Sequence, residues 1–191
     1  MSPGTRLSRR AVDAFLGLPL LPSWALSADQ WSALRMPGHI ALIRHALAPG
    51  TFDPPGFRLD DCATQRNLSD AGRVQARRIG DVFRANGIAA ANVQSSQWCR
   101  CLDTAALLRL GEVTPQPLLN SFAQDRNRGD PQIDALRRWI GRQPLERPIL
   151  LVTHQVVITA LSGVFADSGE IVIMSREADG RFILRGRQPT V

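Results

Sequence analysis

Histidine is scarce in this chain, three residues in 191, and two of them stand at the same kind of place. Ile40 to Ile43 is a wholly apolar run that ends in Arg44-His45 and then a loop of proline and glycine. Pro148 to Thr153 is a second such run, and it ends in His154. A short unbroken apolar run bounded by turn residues reads as a strand buried on both faces. In open α/β sheets the crevice beyond the carboxyl ends of the strands is where ligands bind. Two parallel strands of one sheet bring both imidazoles to that edge. A cation beside imidazoles there suits an anionic substrate and a nucleophile or base. Taken alone, Arg44-His45 reads as a solvated strand cap, and the second strand-then-histidine is what favours a site.

A third element points the same way. Asn92-Val93-Gln94 reads as a short strand, and Ser95-Ser96 as the cap of a helix over Gln97 to about Leu110, closed by Gly111. Arg100 falls in its first turn. Helical side chains lean toward the N-terminus, so Arg100 points beyond the strand. Thr104, one turn on, is placed to buttress the guanidinium. Backbone N–H groups and a cation together make an anion site. The long loop Ala46–Arg66 is the expected wall of the substrate site, and Asn120–Gly129 is a polar loop carrying Asp125, Arg126 and Arg128.

The elements that position these residues alternate. Ser69 and Asp70 open a helix whose Ala71, Val74, Ile79, Val82 and Phe83 share a face, closed at Asn86-Gly87. Gln30 to Pro37 reads as a linker or short helix. Pro117-Leu118-Leu119 is a candidate third strand, and Asp130-Pro131 starts a helix. A buried helix over Gln155–Gly163 follows His154. Gly169–Met174 and Phe182–Leu184 pair about an Asp179-Gly180 turn. The pattern predicts a three-layer α/β/α sandwich with a mostly parallel central sheet and an antiparallel edge hairpin.

The composition, 44% hydrophobic and 21% charged, is that of a soluble globular protein. Net charge is +6 and every basic residue is arginine. The positives are scattered and no basic stripe interleaves with aromatics, which argues against nucleic acid. Arg73, Arg77, Arg78 and Arg84 read as a solvated helix face, and Arg137-Arg138 as surface. The cysteines, Cys62, Cys99 and Cys101, have no zinc spacing. One disulfide, Cys62 with Cys99, and three buried free thiols are both open readings. Residues 1–28 read as an export signal, with Arg6, Arg9 and Arg10 before an apolar stretch and small residues near Ser27. Asp13, Pro19 and Pro22 count against it, and a cytoplasmic amphipathic extension is the alternative. The stretch is short of the ~20 residues of a membrane span, so no stable anchor is expected. Residues 29–191 then form a single domain.

Four motifs occur in the order of a known superfamily. They are Arg44-His45-Ala46, Arg66-Asn67-Leu68-Ser69-x-x-Gly72-x-x-Gln75-Ala76, Ser95-Ser96-x-x-x-Arg100-x-x-x-Thr104-Ala105 and Val152-Thr153-His154. Together they resemble the histidine phosphatases, the phosphoglycerate mutase-like fold, and most of all their small exported bacterial members. The chain departs from the common pattern at Ala46, usually glycine, and at Gln155. Mutase-like branches place a glutamate after the third strand; Leu119-Asn120-Ser121-Phe122 holds none. The resemblance implies a phosphatase in which His45 is the nucleophile, forming a phosphohistidine. Arg44, Arg100 and a protonated His154 bind the phosphoryl oxygens. Asp125 is the first candidate for the acid, ahead of Asp53 or no side chain at all. No metal or cofactor is called for. The expected partner is a small or cell-envelope phosphorylated substrate, met in the periplasm or outside the cell, and nothing fixes the oligomeric state. A phosphate-binding module with little turnover and a carrier-to-carrier phosphotransfer protein are the competing readings.

Overall fold

The computed structural model describes residues 27–144 and 146–190. The expected export segment lies outside them except for Ser27 and Ala28, which open the first helix: Ser27 caps α1 (Ala28–Ala33) in a capping box with Gln30. No helix among the described residues is long and apolar enough to cross a membrane.

Six strands form one sheet: β1 (His39–Arg44), β2 (Asn92–Ser95), β3 (Val113–Pro115), β4 (Ile149–Thr153), β5 (Ile171–Arg176) and β6 (Phe182–Gln188). Their order is β3-β2-β4-β1-β5-β6. The first four run parallel, and β5 and β6 are antiparallel to their neighbours, giving the expected edge hairpin. β1 and β4 are adjacent, with Arg44 beside Thr153. That register sets His45 and His154 together at one edge.

Strand side chains alternate between faces, and the core divides accordingly. Ala41, Ile43, Leu150 and Val152 pack with Ile79 and Phe83 of α2 (Asp70–Ala85) and with α3 (Cys99–Leu108). Ile40, Leu42, Ile149 and Leu151 pack with Leu136 of α4 (Gly129–Gly141) and Val157 of α5 (Gln155–Ser162). Helices cover both faces, which makes the three layers. Burial on both faces is why these strands are unbroken apolar runs.

Two expectations need correction. The third strand is Val113–Pro115, and Pro117–Leu119 is a single 3₁₀ turn, capped by the Gln116 side chain. Proline lacks the N–H a ladder needs but suits the start of a helical turn. The serine pair does not cap α3, which begins at Cys99 after an uncapped Trp98.

Candidate active site

His45 follows the last residue of β1 and His154 the last of β4, and their rings lie 5.5 Å apart at 68°. Both are buried. They line a cavity of about 280 Å³ with Arg44, Arg66 and Arg100 on its floor. Residues 109 positions apart along the chain thus meet because β1 and β4 pair.

The hydrogen bonds fix which nitrogens carry protons. His45 Nδ1 is 2.9 Å from the Ala46 carbonyl oxygen. A carbonyl only accepts, so Nδ1 holds the proton and Nε2 keeps its lone pair. The Ala46 N–H in turn donates to Thr104 Oγ1, and the next N–H, of Leu47, donates to Gln75 Oε1. Gly72 lets α2 press against this segment, since a Cβ there would meet the Leu47 carbonyl oxygen at 2.0 Å. The second motif therefore clamps the backbone that orients the His45 ring.

His154 is oriented from the other side. Asn120 Oδ1 accepts from the Gln97 N–H and from Ser96 Oγ, and Asn120 Nδ2 donates to Gln97 Oε1. The Ser96 proton is committed to Asn120, so Ser96 Oγ accepts from His154 Nε2–H at 2.8 Å. Nδ1 is left without a proton. Burial lowers the pKa of His154 well below its ordinary value, helped by His45 and by Arg100, Arg66 and Arg44. Burial, with the same arginines, takes His45 down to about 3. Both rings are therefore neutral at ordinary pH. The expected protonated His154 is thus not its resting form, and a bound phosphoryl dianion supplies the opposing charge that would favour it. Cys101 Sγ lies 3.5 Å from His154 Nε2. Burial pushes this thiol up to about 12, so it is no competing nucleophile.

The floor arginines are each tied to a loop. Arg44 Nη1 donates to the Ala166 carbonyl at 2.8 Å, and Arg66 Nη1 to the Ala48 carbonyl. Arg100 makes a two-pronged pair with Asp53, at 2.7 and 3.1 Å. Asp53 also accepts from Trp98 Nε1 and the Arg66 N–H. These donors outweigh its burial and hold the carboxyl below its usual range. All three arginines keep a buried Nε–H with no acceptor among the described residues. An oxyanion with several lone pairs is the group that such a donor set lacks.

A disulfide joins Cys62, in the loop after β1, to Cys99, the residue before Arg100, with 5.7 Å between their Cα atoms. It fastens the loop bearing Asp53 to the helix bearing Arg100. Cys101 is free and buried.

No protein-family model matches the sequence, and no curated protein matches it. The backbone does match solved structures. It is similar to the protein histidine phosphatase SixA complexed with tungstate, at TM-score 0.60 and 13% identity over 78% of this chain and 96% of that one. It is similar to a mycobacterial glucosyl-3-phosphoglycerate phosphatase complexed with VO3, at 0.59 and 18% over 80% and 99%. A phosphoserine phosphatase mutant from Entamoeba histolytica, in complex with phosphoserine, gives 0.57 and 15% over 78% and 96%. The chain has the histidine phosphatase fold.

Within this fold the structure brings together His45, His154, Arg44 and Arg100 as the sequence predicts. It does not bring Asp125 to them. That residue is exposed and the cavity is lined by Ala123 and Arg126 on either side of it instead. Thr104 does not buttress the Arg100 guanidinium. Its hydroxyl donates to the Arg100 carbonyl at 2.7 Å, and Asp53 holds the guanidinium. Arg66 lies in a motif but carries no signal of its own as a floor cation. The roles of Ser96 and Asn120 in orienting His154 are not legible in the sequence beyond their place at strand and turn ends beside the sheet edge.

Proposed function

We propose that this chain is a metal-independent phosphomonoesterase working through a phosphohistidine on His45. One observation carries the reading: His45 Nε2 holds its lone pair inside a cavity floored by Arg44, Arg66 and Arg100 and faced by His154. Nε2 attacks phosphorus, the bond to the ester oxygen breaks, and its electron pair leaves with that oxygen. The arginines and His154 meet the charge on the three phosphoryl oxygens, the dominant contribution in phosphoryl transfer. Water then attacks the phosphohistidine, releasing phosphate and returning the lone pair to Nε2.

The leaving oxygen takes its proton from water. Asp53 is saturated by four donors and paired with Arg100, and Asp125 sits outside the cavity lining. The structures this chain resembles include, by their names, a protein histidine phosphatase, a phosphoserine phosphatase and a glucosyl-3-phosphoglycerate phosphatase, which supports phosphoryl hydrolysis as the class of reaction. The Cys62–Cys99 bond supports an oxidising compartment, and so export of the chain.

The test is turnover of 4-nitrophenyl phosphate in the presence of chelator. Hydrolysis should persist there, and His45→Ala should lose at least ~10⁴-fold in kcat, together with the acid-labile phosphoryl label on the protein. Tight phosphate binding with no turnover of any phosphomonoester would instead make the chain a phosphate-binding module, a reading favoured by the missing side-chain acid.

A further inference from the structure

Resting on that reading, we infer that Phe52 and Phe165 form the leaving-group subsite, and that the substrate is an aryl phosphomonoester whose ring lies against them. Phe52 is 66% exposed and Phe165 67%, more than any other large apolar side chain among the described residues. Both line the cavity that holds the two histidines. Aromatic surface left in water is unfavourable, and paired at one cavity it marks a place that a ligand covers.

Their placement is tied to the anion site. Phe52 precedes Asp53, which grips Arg100. Phe165 precedes Ala166, whose carbonyl holds Arg44, and its own carbonyl accepts from Arg187 Nη2. Each ring is therefore one residue from the group that fixes a floor arginine. A phosphoryl group seated on Arg44 and Arg100 would therefore share its cavity with both rings.

The chemistry of the floor points to the same class. Among the described residues no carboxylate lines the cavity, and His154 is assigned to the phosphoryl oxygens, so the departing oxygen leaves without a side-chain acid. A phenol ionises near pH ~10, whereas an aliphatic alcohol, like water, ionises only far above that. A phenolate leaves as the anion and takes its proton from solvent afterwards. An alkoxide needs the proton during bond cleavage, help usually worth about 10²–10⁴-fold. A flat aryl leaving group satisfies both the unassisted floor and the aromatic rim.

The experiment compares 2-naphthyl phosphate, glycerol phosphate and acetyl phosphate on the intact chain, then on Phe52→Ala, Phe165→Ala and the double variant. The rings are largely solvent-exposed, and melting curves check that the variants fold. Wild type should turn over naphthyl phosphate at least ~100-fold faster than glycerol phosphate. The ratio of kcat/KM for naphthyl over acetyl phosphate should fall at least ~10-fold in the double variant. Acetate leaves readily but carries no ring, so this ratio reads the subsite and not the chemistry. An unchanged ratio, or glycerol phosphate turned over as fast as the aryl ester, overturns the assignment. Acetyl phosphate hydrolysis that is absent, or that survives His45→Ala, overturns the phosphohistidine reading and this one with it. Phosphotyrosine as the free amino acid and within a peptide then separates a small aryl phosphate from a phosphoprotein source.

Discussion

Arg100 and Arg126 line the same cavity, and the molecule treats them differently. Arg100 is 4% exposed, gripped twice by Asp53, and fastened to the loop after β1 by the neighbouring disulfide. Arg126 is exposed on a 3₁₀ turn and makes no ion pair or side-chain hydrogen bond among the described residues. The floor of the cavity spends partner groups on each cation and the rim spends none. Preorganised charge stabilises a transition state without reorganising, while a mobile exposed charge is screened. The two arginines should therefore separate by a large factor. Arg100→Ala should lower kcat about 10²–10³-fold, and Arg126→Ala should stay within about threefold. Steady-state kinetics on one aryl ester at two salt concentrations checks this, with the Arg126 effect shrinking as salt rises. Comparable losses would mean that the rim cation also meets the transferring phosphoryl.

The same contrast separates what the sequence predicts from what it conceals. β1, β4 and the histidines that follow them are legible because burial on both faces forces unbroken apolar runs, and a polar residue ending such a run stands out. The two-faced core follows from the same alternation. The third strand is misplaced because Val113–Pro115 is a short edge with little burial, while Leu119 is buried in a turn. Hydrophobicity reports burial and not hydrogen-bond pattern. Asp53 and Ser96 act through partners 47 and 58 positions away, Arg100 and His154. No local spacing encodes such pairings. The rim is illegible for a further reason: two exposed phenylalanines in irregular loops carry no period that could assign them to a face.

The disulfide is the next way to break the contrast, because it is what fastens a rim loop to the floor. It closes a separation of 37 residues, which for a bond of this span is worth about 2–4 kcal/mol of stability. Reduction should lower the urea midpoint accordingly. The floor should loosen with it, since the Asp53 loop and the first turn of α3 are no longer tied, so KM should rise more than kcat falls. Cys62→Ser unfolded with and without reductant is the control, and it should lose the dependence on reductant. A midpoint indifferent to reductant in the parent chain would show that the Asp53–Arg100 pair and the packing of Trp98 hold the loop unaided.

The smallest effect concerns acid, and it belongs to the floor alone. His45 titrates at about 3 when folded, against 6.5 for an ordinary imidazole. Between those values the unfolded chain binds a proton that the folded chain refuses. Stability is therefore complete above pH 6.5 and falls as pH drops toward 3, and His154 shifts in the same direction. Going from pH 6.5 to 5 should cost about 2 kcal/mol through His45, and His154 adds to it in the same direction. Urea unfolding in phosphate-free buffer should show this decline, and His45→Gln should remove part of it. Phosphate should oppose the decline, because a bound dianion offsets the arginines that help keep both rings neutral. A stability curve flat from pH 7 to 5 in the parent chain would mean that folding leaves both imidazoles near the ordinary value, and the lone pair assigned to His45 Nε2 would then be lost to protonation as pH falls through 6.5.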